Sequence, residues 1–228
     1  MLKDFLVPLN RDGWKFIALF AVVTVLLSLL WGGFWFIGGV ATAWCIYFFR
    51  DPPRVTPMRS GLVVSAADGL VQYVGPGTPP PELDLPPDET MKVSVFLSIF
   101  DVHVNRIPAD GTIDVVAYHP GRFLSAADDK ASDENERQAI AMTLPDGRRL
   151  AFVQIAGLVA RRIVCYLKPE QPVLAGERFG LIRFGSRTDI YLPPGVMPLV
   201  AVGQRLVAGE SVVADLNSGE GFRPGRET

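Results

Sequence analysis

The chain has 228 residues and a mass of 24.9 kDa, enough for one domain or one domain with an appendage. With 22 Lys and Arg against 24 Asp and Glu the net charge is -2, so no overall basic field exists to hold nucleic acid. The only cysteines, Cys45 and Cys165, and the only histidines, His103 and His119, exclude a disulfide-stapled secreted framework, a zinc ribbon and a three-His metal site. Both cysteines sit in apolar stretches and read as buried thiols in a reducing compartment.

Hydrophobic residues make up 49% of the chain and the mean hydropathy is +0.25, an apolar excess that lies at the N-terminus. No charged residue occurs from Phe16 to Phe49. The run lacks the small-residue cleavage site of a signal peptide, which predicts a membrane segment that is retained. As one helix it would be about 50 Å long, against a hydrocarbon core of about 30 Å. Gly32-Gly33 divides the run nearly in half, predicting a helical hairpin that enters and leaves from one side; a single strongly tilted crossing helix is the alternative. Lys3, Arg11 and Lys15 precede the run and Arg50, Arg54 and Arg59 follow it, which places both ends on the cytoplasmic side. Residues 1–50 are thus expected to be a membrane-associated helical segment of a cell-membrane protein.

Past Arg50 the chain turns to short segments rich in Val, Ile, Phe and Tyr, separated by Gly, Pro and Asp, the pattern of strands and turns. Strands are expected at Gly61 to Ala66, Leu70 to Val74, Met91 to Ile99, Thr112 to Tyr118, Gln138 to Leu144, Arg149 to Ile155, Arg161 to Leu167, Arg178 to Arg183, Asp189 to Leu192 and Ser211 to Asp215. Pro145-Asp146-Gly147 marks a hairpin turn. Ala131 to Arg137 reads as a short helix, and the proline-dense stretch Gly75 to Thr90 as a loop. The stretch Val173 to Arg178 is echoed in form by Arg205 to Ser211, each reading as a strand, a tight glycine turn and a strand, a hairpin of the kind frequent in sandwich-like barrels. The expected fold is mainly β, sandwich- or barrel-like with minor α, over residues 51–216, followed by a loose tail, 217–228.

Three stretches carry side chains suited to chemistry. Phe96 to Pro108 places His103 and Arg106 at the end of a hydrophobic strand. Arg178 to Asp189 holds the pair Gly185-Ser186 flanked by arginines. Ser65-Ala66-Ala67-Asp68-Gly69 sets a carboxylate at a turn. Taken singly, each reads as ordinary strand or turn structure.

In order along the chain they are similar to the phosphatidylserine decarboxylase proenzymes, in particular the short bacterial and archaeal form. The resemblance runs through Phe48-Phe49-Arg50-Asp51-Pro52-Pro53-Arg54, Ala67-Asp68-Gly69, Phe96 to Pro108 and Tyr118-His119-Pro120-Gly121-Arg122-Phe123. It continues through Asp133-Glu134-Asn135-Glu136-Arg137, Ala160-Arg161-Arg162-Ile163 and Phe184-Gly185-Ser186-Arg187. It implies a self-processing enzyme: the Ser186 hydroxyl attacks the Gly185 carbonyl, the resulting ester is eliminated, and position 186 becomes a pyruvoyl group at the head of an α chain, residues 1 to 185 being the β chain. The residue types suit this, since glycine allows close approach to the scissile carbonyl and a serine needs a base to take its proton. The pyruvoyl, the cofactor implied, serves as the electron sink in decarboxylating phosphatidylserine to phosphatidylethanolamine and carbon dioxide, with no metal.

The longer bacterial members carry a second His three positions after the one matching His103, where this chain has Arg106, a side chain that stays protonated. The base is therefore open between His103, paired with Asp68, and His119. Arg161, Arg162, Arg183 and Arg187 are candidates for the substrate phosphate, arginine being suited to bidentate contact. The resemblance also implies a homodimer and a catalytic domain on the cytoplasmic face of the membrane. The competing reading is a noncatalytic membrane-tethered β-sandwich, a lipid-binding or scaffold module in which Gly185-Ser186 is only a turn; a third is a pyruvoyl enzyme acting on another lipid or a soluble amino acid.

Overall fold

A computed structural model of the chain describes residues 7–85, 90–122, 134–157, 162–183, 186–221 and 223–226. It divides into two compact units between Pro53 and Arg54.

The first unit is a pair of helices, α1 (Trp14–Ser28) and α2 (Gly33–Phe48). The break falls at residues 29–32, beside the glycine pair, so one continuous tilted helix is not what this chain forms. At 15 and 16 residues they span about 22 to 24 Å each, and no helix among the described residues is long and apolar enough to cross a membrane. The two ends of the pair are tied together. Leu9 bridges Arg50, the Asn10 N–H donates to the Phe49 carbonyl at 2.9 Å and the Asp51 N–H to the Pro8 carbonyl at 2.7 Å. Phe16 stacks on Phe49 at 5.5 Å. Midway, Gly38 lets Thr24 in close, and the hydroxyls of Thr24 and Thr42 lie 3.4 Å apart while each bonds its own helix. The remaining surface is apolar: Leu29 and Leu30 at the tip are 78% and 80% exposed, and Phe36 76%.

The strands of the second unit all pair antiparallel. Its strands are β1 (Leu62–Val64), β2 (Gly69–Pro76), β3 (Met91–Leu97), β4 (Val104–Arg106), β5 (Gly111–His119), β6 (Arg137–Thr143), β7 (Arg149–Ile155), β8 (Ile163–Cys165), β9 (Pro172–Val173), β10 (Arg178–Ile182), β11 (Ser186–Tyr191), β12 (Arg205–Leu206) and β13 (Val212–Asp215). An eight-stranded sheet runs β12-β2-β3-β11-β7-β6-β5-β9, a three-stranded sheet β4-β10-β8, and β1 pairs with β13. β-branched and aromatic residues fill the long strands, and Gly147, with φ 84°, closes the β6–β7 turn.

Both faces of the large sheet are covered in its middle. Val93, Val95, Leu97, Ile140, Met142, Leu150, Phe152 and Ile190 belong to the main core. The alternate residues Ala139, Ala141, Ala151, Val153, Ile155 and Tyr191 pack beneath Leu83, in a 3-10 turn at Pro81–Leu83. The small side chains on that second face leave room for the turn.

Several sequence expectations change. Arg137 opens β6, so the expected helix does not reach it; residues 131–133 lie outside those described. The loop expected from Gly75 begins later, since β2 continues through Gly75 and Pro76. β4, β9 and β12 are too short, at two or three residues, to show a period. The two echoed glycine segments are turns, with φ 81° at Gly176 and 76° at Gly209, but not hairpins. β9 pairs with β5 and β10 with β4 and β8, while β12 pairs with β2 and β13 with β1. Each turn is a corner at which the chain passes from one sheet to another. Cys165 is half-buried rather than buried, and burial raises its thiol above the ordinary value.

β10 is the inner strand of the small sheet, and a Cβ at Gly180 would stand 2.0 Å from the Val164 carbonyl oxygen. Gly180→Ala is therefore expected to cost about 2 kcal/mol or more, read from urea unfolding; an unchanged midpoint would mean that β8 yields freely.

Candidate active site

β11 lies between β3 and β7, and all six of its residues are buried. Alternation sends Ser186, Thr188 and Ile190 to the main-core face and Arg187, Asp189 and Tyr191 to the other. Ser186 is 0% exposed, and its Oγ has no hydrogen-bond partner among the described residues. A buried hydroxyl left unpaired costs about 1–3 kcal/mol, so its presence calls for a reason.

The small sheet packs over β7 in a series of contacts that leads to this hydroxyl. Phe152, opposite Ile190, meets Phe179 of β10 edge-on at 5.0 Å. One rung along, Gln154, opposite Thr188, donates from Nε2 to Asn105 Oδ1 of β4 at 2.8 Å. On the next rung, Ala156, which follows Ile155 opposite Arg187 and so lies beside Ser186, packs with Ile182. The Ile182 N–H donates to the His103 carbonyl at 3.3 Å. This stacking carries His103 to the Ser186 end of the site. His103 is 1% exposed and its Nδ1 lies 3.0 Å from the Asp101 carbonyl oxygen. A carbonyl only accepts, so Nδ1 carries a hydrogen here, and in the neutral ring the lone pair falls on Nε2. Asp101 is itself fixed, accepting from the Ser98 N–H at 2.8 Å and pairing with Arg205.

Asp68 stands on the other side of β3. Its Oδ2 pairs with Arg54 at 2.7 Å and its Oδ1 accepts from the Ala208 N–H at 2.8 Å. Leu70 pairs with Phe96, and continuing that register sets Gly69 beside Leu97, whose other neighbour is Ser186. Asp68 is thus about two strand spacings, or 10 Å, from Ser186. His103 Nδ1 meets a main-chain carbonyl, and Asp68 is held by Arg54 and the Ala208 N–H. Arg106 is 6% exposed and bonds the Gly176 carbonyl at 2.8 Å. Its stem reaches the Gly209 corner as well, so the residue that replaces a second His holds the two glycine turns together.

The other sequence candidates scatter. His119 is exposed at the end of β5; the row His119, Arg137, Ile155, Arg187 crosses the sheet, putting it three strand spacings, about 14 Å along the sheet, from β11. It belongs to a different cluster. Burial pulls the Glu82 carboxyl up, but the Arg137 hydrogen bond and the charges of Arg137 and His119 outweigh this and hold it below its ordinary value. Arg187, on the face away from Ser186, is ion-paired to Asp189 at 2.9 Å. Arg183 is 8% exposed and three residues ahead of Ser186. Arg162 is exposed, its carbonyl accepting the Arg183 N–H. Gly185 and Arg161 lie outside the described residues. Among the described residues no group of His, Cys, Asp and Glu side chains is placed to hold a metal.

Asn105, Gln154 and Thr188 had no role assigned from sequence, and Arg54 only one at the membrane surface. One signal was available: Gln154 interrupts the apolar face of Arg149 to Ile155, and a polar residue there needs a partner inside the core.

The phosphatidylserine decarboxylase family matches residues 41–214. The chain belongs to the phosphatidylserine decarboxylase family. It is similar to proteins named phosphatidylserine decarboxylase proenzyme. That of Paramagnetospirillum magneticum is 59% identical over 96% of this chain and 91% of the relative. That of Cereibacter sphaeroides is 57% identical over 99% and 97%, and that of Ruegeria pomeroyi 53% over 95% and 99%. Membership makes the chain an enzyme of the decarboxylase class and sets aside the noncatalytic scaffold.

The Asp68–Arg54 pair is mostly dry, the two side chains being 14% and 15% exposed. Arg54→Ala is expected to lower stability by about 2–3 kcal/mol at neutral pH, measured by urea unfolding. A variant as stable as its parent would mean that the Ala208 N–H alone satisfies the carboxylate.

Proposed function

We propose that this chain decarboxylates phosphatidylserine to phosphatidylethanolamine at the membrane surface, after converting Ser186 to a pyruvoyl group by cutting itself between Gly185 and Ser186. The observation that carries the reading is the buried Ser186 Oγ at the head of β11, without a partner among the described residues, with His103 held through Nδ1 at the same end of the site.

The self-processing steps balance with the groups at hand. Oγ adds to the preceding carbonyl carbon as its proton passes to His103 Nε2. The C–N bond then breaks, the amine takes that proton back, and an ester joins residue 185 to Oγ. Loss of the 186 Cα proton expels the upstream chain as a carboxylate and leaves dehydroalanine. Water converts this to pyruvoyl with release of ammonia. Nothing outside the chain is needed except water.

The site fits a group made in place, since the atom that would be transformed is already dry and unbonded. The pyruvoyl supplies a ketone conjugated with an amide, able to accept the electron pair left when carbon dioxide departs. The chain does the rest. β3 and β7 shut water away from position 186, His103 returns a proton to carbon, and Arg183 and Arg162 supply charge for the phosphodiester.

The hairpin supports membrane attachment. Two helices apolar on all sides, with an uncharged tip of exposed Leu29, Leu30 and Trp31, suit lipid better than water, and their length suits a dip into one leaflet. Basic residues at both ends favour the cytoplasmic side.

Intact mass under denaturing conditions tests the processing. Two fragments are expected from the parent, the smaller starting at position 186 and lighter than a simple hydrolytic product by one ammonia. Ser186→Ala and His103→Ala should each give one uncut chain, and His119→Ala should be cut as the parent is. A single uncut parent chain would sink the pyruvoyl reading. Attachment is tested by flotation with anionic phospholipid vesicles: the parent should float, and a Leu29→Asp, Leu30→Asp double variant should stay largely at the bottom. Equal flotation of the two would rule out insertion of the tip.

A further inference from the structure

Between β3 and β4 the chain makes a tight turn, Ser98-Ile99-Phe100-Asp101, with two large apolar side chains at its centre. Such positions ordinarily carry Gly, Pro, Asn, Asp or Ser. Here Ile99 is 40% exposed and Phe100 59%. Among the described residues of the second unit Phe100 is the only exposed phenylalanine, Phe152 and Phe179 being buried and Phe96 half-buried.

The exposure is built in. The Asp101 N–H donates to the Ser98 carbonyl at 2.9 Å, the Ser98 N–H to Asp101 Oδ2 at 2.8 Å and the Phe100 N–H to Ser98 Oγ at 3.4 Å. Three bonds close one turn and hold its two apolar residues outward. Asp101 also pairs with Arg205, and of the two side chains the carboxylate is 11% exposed and the guanidinium 64%. A cation, and not an anion, therefore flanks the apolar pair at the surface.

The turn is continuous with the site. It begins one residue after Leu97, the neighbour of Ser186 across β3 and β11, and Asp101, which staples it, meets His103 Nδ1 through its carbonyl. The two residues from Leu97 to Ile99 cover about 7 Å, comparable with the headgroup layer of one leaflet, about 5–8 Å deep. Phosphatidylserine carries its carboxylate in that layer while its acyl chains stay in the bilayer. A headgroup at position 186 thus lies within about one headgroup depth of Ile99 and Phe100. An apolar tip beside a cation suits an anionic lipid surface, the apolar side chains entering below the headgroups while the guanidinium meets phosphate.

We propose that the Ser98–Asp101 turn is a membrane contact of the catalytic unit, in which Ile99 and Phe100 insert into an anionic bilayer beside Arg205 and hold the Ser186 end of the unit against the lipid. The inference rests on the decarboxylation of a bilayer lipid proposed above and adds the surface by which the catalytic unit itself meets that bilayer. Attachment by the helices keeps the chain at the membrane; the turn sets which side of the catalytic unit faces it.

Orientation is separated from catalysis by offering one headgroup in two forms. Full-length parent, an Ile99→Ser, Phe100→Ser double variant and an Ile99→Leu, Phe100→Leu double variant are checked for maturation by intact mass. Initial rates are then measured on phosphatidylserine in vesicles with phosphatidylglycerol, and on a phosphatidylserine with butanoyl chains, which stays monomeric in water. Serine suits the centre of a turn, so the first variant should mature; Phe100→Ser alone carries the comparison where it does not. The serine variant is expected to act on the soluble substrate within about twofold of the parent. On vesicles it should be at least about tenfold slower, through a raised apparent KM at an unchanged kcat, and the leucine variant should keep the parental rate. Equal slowing on both substrates, parental rates on both, or a leucine variant as slow on vesicles as the serine one each overturns the proposal. A parent that decarboxylates neither substrate overturns the reading beneath it as well, whereas an active parent beside an unaffected serine variant overturns only the role of the turn.

Discussion

A serine hydroxyl that is buried and, among the described residues, unbonded depends on one placement: β11 as an inner strand with both faces covered. Its backbone groups pair with β3 on one side and β7 on the other, so the strand tolerates an unsatisfied side chain without offering water a way in. The main-core face is closed by the small sheet, the other by alanines beneath Leu83. An edge strand could not do this, because its free N–H and C=O groups would bring solvent to within a residue of the hydroxyl. The unpaired oxygen is tolerated because the packed strands around it contribute more than it costs.

The small sheet carries His103 to the same end as that hydroxyl, and its position rests on two glycine corners. Gly176 and Gly209 turn the chain between sheets at positive φ, and a Cβ on Gly209 would stand 3.3 Å from Gly176 Cα. Arg106 spans both. Its guanidinium bonds the Gly176 carbonyl, while its own N–H donates to the Ala66 carbonyl, two residues before Asp68. The arginine that stands in place of a second histidine thus ties β4, the corners and the Asp68 segment into one wall. It leaves His103 as the histidine at this end.

Much of this was legible in the sequence, and what was not has physical reasons. Long strands such as Arg149 to Ile155 declare themselves because β-branched and aromatic residues recur between turn formers. His103, Asp68 and Ser186 stood out by their order along the chain. The corners looked like hairpins because a strand, a glycine turn and a strand give the same local pattern whether or not the two strands pair with each other; pairing is a long-range property that composition does not encode. His119 drew notice as a titratable group near a motif, yet register set it three strands away. Asn105 and Gln154 went unassigned because an amide in a strand has an ordinary meaning until its partner, 49 positions away, is known.

The two units meet opposite problems of solvation. In the catalytic unit, polar atoms are buried where apolar ones would be cheaper: Asn105, Gln154, Thr188 and Ser186 occupy core positions. In the helical unit, apolar side chains are exposed where polar ones would be cheaper, from Leu29 and Leu30 to Phe36. Neither departure is explained by folding alone, since each lowers stability in water. A lipid substrate bears on both in the proposed reading, because the bilayer that holds it covers the hairpin and the proposed chemistry uses the Ser186 hydroxyl. On that reading, the places where this sequence breaks the rules of a water-soluble fold are the places where it meets its chemistry and its medium.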